Sequence, residues 1–81
     1  MIVRVRLFAI ARQLASRDLL EFDLPAGATV ADVRQALSEQ VPGLASMSKY
    51  LQFSVNQEYA VDSILIPPDA EVACIPPVSG G

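Results

Sequence analysis

The 81-residue sequence contains no histidine and no tryptophan, and its only cysteine is Cys74. A histidine-based catalytic relay and a Cys/His metal cluster therefore cannot be assembled, and a lone cysteine excludes an internal disulfide. Because no basic residue lies near Cys74 in the sequence to lower the pKa of its thiol, we expect a small buried hydrophobe rather than a reactive group. No metal site is predicted.

Basic residues and long apolar runs are also scarce. Six Lys and Arg against nine Asp and Glu give a net charge of −3, and the six are dispersed, which argues against nucleic-acid binding. No apolar stretch approaches the roughly 18 residues of a membrane span. Arg4 and Arg6 interrupt the apolar run that a signal peptide would need. We expect a cytoplasmic protein without nucleic-acid or membrane partners.

What the sequence does contain is enough apolar surface for one compact domain, with 52% hydrophobic and 19% charged residues. Period-two alternation predicts a first strand with one face in the core. Its inward residues are Val3, Val5 and Leu7. Phe8 then either joins the arginines on the outer face, where a partner would cover it, or ends the strand and folds under a short helical segment, 9–16.

A second strand and one main helix follow. Leu20, Phe22 and Leu24 alternate with acids and predict a strand antiparallel to the first, ending at 25–27. Thr29, with Asp32 three residues later, predicts the capped start of a helix that Pro42-Gly43 ends. Its buried stripe is Val30, Val33, Leu37 and Val41. The stretch 44–49 is predicted to be an irregular connection.

The remaining strands form a hairpin and a final strand. Residues 51–55 alternate, 56–58 supply a turn, and a short strand is predicted around 59–61. A turn at 67–70 precedes the last strand, 71–75, in which Val72 and Cys74 should face inward. Ile75 is then apolar and predicted to be exposed. The order of elements predicts an α+β domain with a mixed sheet of about five strands wrapped on one main helix.

The last six residues have a character of their own. Pro76 and Pro77 favour an extended chain, and Gly80 and Gly81 carry no side chains, so such a tail fits a narrow channel. From Pro76 the tail can reach roughly 20 Å. We therefore predict a domain at 1–75 and an extended tail at 76–81 that acts in another protein's active site. The alternative, a disordered and inert end, stays open.

The motifs of this sequence resemble those of the MoaD family, the small sulfur carrier subunits of molybdopterin synthase, which are ubiquitin-like β-grasp proteins. The resemblance runs end to end. Its most specific part is the closing Pro-Pro-Val-Ser-Gly-Gly, and the other matching segments are 7–9, 12–14, 29–33, 55–57 and 71–75. The turn at 68–72 and the pair Cys74-Ile75 depart from the family's common residues.

The resemblance implies a reaction at the carboxylate of Gly81. An ATP-dependent adenylating enzyme would form an acyl-adenylate there, and a sulfur donor would convert it to a thiocarboxylate. The tail would then carry the sulfur into the large subunit of molybdopterin synthase, in an expected heterotetramer, for dithiolene formation in molybdenum cofactor biosynthesis. The chain itself would bind no cofactor, and the catalytic residues would lie on the large subunit.

The alternation of inward and outward residues along the strands, together with the resemblance, predicts two kinds of site residue. Gly80 and Gly81 carry the function, and Pro76, Pro77, Val78 and Ser79 are the partner-binding lead-in. Phe8, Tyr59 and Ile75, here called the docking patch, contact both partners in turn. Three alternatives remain: a related carrier for thiamine synthesis or tRNA thiolation, a ubiquitin-like protein modifier, and an interaction domain with an inert tail.

Overall fold

A computed structural model describes residues 1–77 of the chain. In chain order the elements are β1 Ile2–Leu7, α1 Ala9–Ala15, β2 Leu19–Asp23, α2 Val30–Gln40, a 3₁₀ segment Pro42–Tyr50, β3 Gln52–Val55, β4 Glu58–Ala60 and β5 Glu71–Ile75. The strands form one sheet in the order β2-β1-β5-β3-β4, in which β1 and β5 are parallel and the other pairs antiparallel. The predicted α+β class and mixed five-stranded sheet are confirmed. No helix within residues 1–77 is long and apolar enough to cross a membrane.

The inner face of the sheet carries the core, as the alternation predicts. Val3, Val5 and Leu7 are at most 3% exposed, and Leu20 and Phe22 of β2 are buried beside them. The predicted stripe of α2 packs onto this face, and its four members are all buried. The helical layer therefore covers one face of the sheet only.

The start of α2 is fixed by a complete capping box. The backbone N–H of Asp32 donates to Thr29 Oγ1 at 3.4 Å, and the backbone N–H of Thr29 donates to Asp32 Oδ2 at 2.8 Å. Two of the unpaired donors of the first helical turn are thus satisfied. The shorter aspartate performs the role that glutamate usually has in this motif.

The segment after α2 differs from the prediction. Residues 44–49 belong to a continuous 3₁₀ segment, Pro42–Tyr50, and not to an irregular connection. Pro42 suits the first position because its missing N–H would be unpaired there in any case. Leu44 within it is fully buried, which ties the segment to the core. A short segment with neither a period of two nor of 3.6 gives no pattern from which to predict it.

The hairpin turns more tightly than predicted. Asn56 and Gln57 form a two-residue turn with φ of 51° and 72°, the type I′ geometry whose twist matches that of the strands. Glu58 is thereby the first residue of β4 and pairs with Val55. The short strand accordingly covers Glu58–Ala60 rather than 59–61.

The last strand has the predicted bounds, with Val72 and Cys74 buried. Ile75 was expected to be exposed, but it is partly buried. The reason is its position in the middle of the sheet, since β5 is flanked by β1 and β3 and a central side chain has neighbours on both sides. Pro76, directly after the strand, is buried against the domain, and Pro77 is exposed.

Candidate functional site

The face of the sheet opposite α2, here called the outer face, is not covered by any element of residues 1–77. Strand register fixes which side chains share it. Tyr59 pairs with Ser54, Ser54 pairs with Ala73, and Ala73 pairs with Arg6. Because directly paired residues point to the same side of a sheet, Tyr59 lies on the outer face with Arg6. The sequence alone could not orient Tyr59.

Phe8 and Ile75 lie side by side at one end of this face. Leu7 pairs with Cys74 in the parallel register, and Phe8 continues the extended backbone with φ −127° and ψ 157°. The next register position therefore places Phe8 beside Ile75. The Phe8 side chain is 45% exposed, so it does not fold under α1. Of the two positions considered for Phe8, the outer-face position is the one observed.

Tyr59 lies at the far side of the same face. It is 72% exposed, on the edge strand β4, three strands away from Phe8. At about 4.8 Å between neighbouring strands, the docking patch spans roughly 15 Å. Gln52 pairs with Ile75 and lies between the two ends. The structure thus brings two patch members together and sets the third apart from them.

Two features at the β4 edge of the sheet were missed from the sequence. Val61, directly after β4, is 69% exposed. Its alternation with Tyr59 was the sequence signal from which its exposure could have been predicted. Both residues line an open groove of about 750 Å³ along the β4 edge. The groove is also lined by Arg34 and Asp62, whose side chains are joined by an ion pair of 2.9 Å. An exposed edge strand beside an apolar groove is a common form of protein-binding surface.

Arg34 holds the groove wall in place. Its Nη1 donates to the carbonyl oxygens of Ser48 and of Leu51, the latter at 2.8 Å, and its guanidinium lies 5.0 Å from the centroid of the Phe53 ring. A single side chain of α2 therefore satisfies carbonyls at the end of the 3₁₀ segment and at the start of β3. Nothing in the spacing of the sequence indicated this role.

Cys74 is confirmed as a core residue. It lies on the inner face with no exposed surface. Burial raises the pKa of its thiol to about 12, against a smaller lowering by the charge of Arg34. The thiol is therefore neutral at physiological pH and is inaccessible to a partner docked on the outer face. Residues 1–77 also contain no group of three or more potential metal-ligating His, Cys, Asp or Glu side chains.

The predicted tail begins within the described chain and continues beyond it. Pro76 and Pro77 leave β5 at the end of the outer face where Phe8 and Ile75 lie. Val78, Ser79, Gly80 and Gly81 lie outside the described residues. Their predicted roles, as lead-in and as reacting terminus, stay predictions.

A five-stranded mixed sheet packed on one main helix, with its opposite face open, defines this domain as a ubiquitin-like β-grasp protein. Comparison with known families narrows that class. The chain belongs to the ThiS family, whose profile matches residues 5–81.

Curated relatives match over nearly the whole chain. A protein of Chlamydomonas reinhardtii, named molybdopterin synthase sulfur carrier subunit, is 36% identical over 81 residues, which cover 98% of each chain. One of the same name from Arabidopsis thaliana is 34% identical over 79 residues, covering 98% of this chain and 82% of the relative. The predicted membership in a sulfur carrier family is confirmed.

Solved structures share the fold over comparable lengths. A putative molybdopterin converting factor subunit 1 from Pyrococcus furiosus has a TM-score of 0.85 at 27% identity, covering 96% of this chain and 99% of its own. SAMP1 from Haloferax volcanii has a TM-score of 0.84 at 27% identity and full coverage of both chains. A chain in the complex of subunits 1 and 2 of the molybdopterin-converting factor from Helicobacter pylori has a TM-score of 0.70 at 20% identity, with full coverage of both, a likeness in fold alone.

Proposed function

We propose that this chain is the sulfur carrier subunit of molybdopterin synthase. It would dock on the large subunit through the outer face of its sheet and deliver sulfur from a thiocarboxylate at Gly81. The observation that carries the proposal is the position of the docking patch, since Phe8 and Ile75 adjoin the point where the chain leaves β5 towards Gly81. The names of the curated relatives and a family match that continues to residue 81 support it.

The proposed chemistry divides between the chain and its partners. The Gly81 carboxylate would attack the α-phosphorus of ATP on an adenylating enzyme, with pyrophosphate leaving. Sulfur at the sulfide oxidation level, supplied by a sulfur donor, would then attack the carbonyl carbon of the acyl-adenylate, with AMP leaving, and form a thiocarboxylate. Such an anion is a strong nucleophile for the pterin substrate, and two glycines present it without a Cβ to obstruct a narrow channel. The β-grasp domain supplies affinity and direction, and the large subunit supplies acids, bases and substrate contacts.

The test is removal of Gly81 in a synthase reconstituted from this chain and the large subunit of the same organism. We expect the deletion variant to bind the large subunit as the full chain does and to transfer no sulfur. Unimpaired transfer would refute the mechanism. Intact mass after activation supplies a second readout, because the full chain should gain one sulfur in place of one oxygen and the deletion variant should not.

A protein-modifier function is the second candidate, favoured by the likeness of this chain to two structures of SAMP1, the small archaeal modifier protein 1, from Haloferax volcanii. It would use the same terminal activation but form an isopeptide bond to a lysine of another protein. The two candidates differ in their products. Conjugates heavier than the free chain, lost when Gly81 is deleted, would indicate a modifier, whereas a carrier yields the thiocarboxylate and no conjugates.

A further inference from the structure

The charges of the outer face are sorted along the strands. At one end, Arg4 lies between two acids, paired in register with Glu21 on β2 and with Glu71 on β5. Its Nε donates to Glu21 Oε2 at 2.8 Å. The charge of Arg4 is therefore compensated within the chain. A partner that covers this end of the face need not supply a counter-charge for it.

Arg6, two residues along the same strand and on the same face, has different neighbours. In register it lies between Leu19 and Ala73, neither of which is charged. The ion pairs formed among residues 1–77 involve the N-terminus, Arg4 and Arg34, so Arg6 has no acidic partner within that part of the chain. It is exposed and adjoins Phe8, the next outward residue of its strand.

A partner that covers Phe8 and Ile75 must also cover Arg6, because the next pair along these two strands is Arg6 and Ala73. Removing a guanidinium from water without a counter-charge is strongly unfavourable, whereas a carboxylate in bidentate contact with arginine compensates for the loss of hydration. We infer that the docking partner presents a carboxylate from an otherwise apolar surface and that this carboxylate pairs with Arg6. The inference rests on the proposed function, in which the partner is the synthase large subunit.

The pairing assigns different roles to two arginines that are otherwise alike. Arg4 is paired with an acid of the neighbouring strand, and Arg6 selects the partner. Since the outer face beside Arg6 is apolar, a partner surface with a lysine or an uncharged residue at this point would leave a buried charge unpaired. The contact therefore contributes specificity as well as affinity.

The experiment compares Arg6→Gln with its matched control, Arg4→Gln, in binding to the large subunit by titration calorimetry at low and at high salt. We expect Arg6→Gln to weaken binding about tenfold or more and to reduce the salt dependence of the dissociation constant. Arg4→Gln should weaken binding less than about threefold. Equal effects of the two variants, or no effect of Arg6→Gln, would overturn the pairing. A carboxylate-to-amide change in the large subunit that weakens binding of the wild-type chain but not of Arg6→Gln would identify the acid.

Ile75→Asp separates a failure of this inference from a failure of the docking proposal. If Ile75→Asp abolishes binding and Arg6→Gln leaves it unchanged, the outer face is the docking site and the carboxylate is wrong. If neither variant changes binding while deletion of Gly81 still stops sulfur transfer, the carrier function holds and the outer face is not its docking site. An Arg6-dependent dimer of the chain alone, measured by sedimentation equilibrium, would assign the surface to a second copy and overturn the inference. Circular dichroism of each variant verifies folding.

Discussion

Arg34 donates to Asp62 Oδ1 from two nitrogens, Nε at 3.2 Å and Nη2 at 2.9 Å, and so joins α2 to the loop that follows β4. The two ends of this contact differ in burial, because 19% of the Arg34 side chain is exposed against 56% of Asp62. The buried end also satisfies the carbonyls of Ser48 and Leu51. The stabilising part of the arrangement is therefore the contact with the backbone, and the ion pair adds little.

The first prediction concerns stability. Arg34→Ala should lower the free energy of unfolding by about 2 kcal/mol, because the part-buried carbonyl of Leu51 loses a donor and Phe53 loses its covering cation. The carbonyl of Ser48 also loses a donor but keeps the backbone N–H of Leu51. Asp62→Asn should cost less than about 1 kcal/mol, as expected for a half-exposed ion pair. Urea unfolding followed by far-ultraviolet circular dichroism measures both. Arg12→Ala, at an exposed site on α1, is the control and should change stability by no more than about 0.5 kcal/mol. A comparable loss for Asp62→Asn and Arg34→Ala would contradict this division.

The hairpin turn gives a second prediction, of a stabilising change. Gln57 has a φ of 72°, which costs an L residue free energy that glycine does not incur. Gln57→Gly creates the Asn-Gly pair preferred in type I′ turns and should raise the free energy of unfolding by about 0.5–1 kcal/mol. Thermal unfolding provides the measurement. Ser54→Gly, within β3 of the same hairpin, should instead lower the melting temperature, since glycine weakens a strand interior.

Most of the fold follows from the sequence because its strands are half-buried and alternate strictly. β1, β2 and β5 each show that alternation, and Thr29 with Asp32 marks the start of α2. Tyr59 is different, because a strand of three residues at a sheet edge shows too little alternation to reveal its direction. Its orientation follows only from pairing with Ser54, a contact that depends on the hairpin register.

The pair of Arg34 and Asp62 in the groove could not be predicted either, because it too depends on a contact between distant parts of the sequence. The sequence gives no reason to distinguish Arg34 from other charged residues on the exposed face of a helix. In the structure, however, it binds Asp62, 28 positions further along the chain. The partial burial of Ile75 depends likewise on strand order, which brings β3 and β1 to the two sides of β5. The local alternation of residues therefore determines which face of the sheet a residue occupies. The order of the strands determines how much of its side chain is exposed to solvent.

The third prediction concerns Cys74 and pH. The pKa of its thiol is raised from 9.0, its ordinary value, to about 12 in the folded chain. The native state thus holds a proton that the unfolded state releases, so the contribution of this group is fully present below about pH 9 and is lost as pH rises towards 12. Between pH 7.5 and 10 the wild-type chain should lose about 1.4 kcal/mol of stability more than Cys74→Ala does. Urea unfolding across this range measures the difference, and parallel curves for the two proteins would contradict the assignment.

The two tyrosines of the chain provide the last prediction, a test of the docking patch in which the same atoms are removed at two exposed sites. Tyr59 lies on the outer face, and Tyr50, 58% exposed, lies at the end of the 3₁₀ segment with Lys49 Nζ 5.1 Å from its ring centroid. Tyr59→Ala should weaken binding to the synthase large subunit about 5- to 30-fold, the effect of losing an aromatic anchor worth about 1–2 kcal/mol.

Tyr50→Ala should leave that affinity within about twofold of the wild-type value, since Tyr50 belongs to the 3₁₀ segment and to none of the strands that form the outer face. Both residues are exposed, so both variants should melt within a few degrees of the wild-type chain, and a loss of affinity cannot then be attributed to unfolding. Surface plasmon resonance with the large subunit immobilised gives the dissociation constants. If the two variants bound equally well, or if Tyr50→Ala bound more weakly, the patch would have to be moved from the outer face to the 3₁₀ side of the domain.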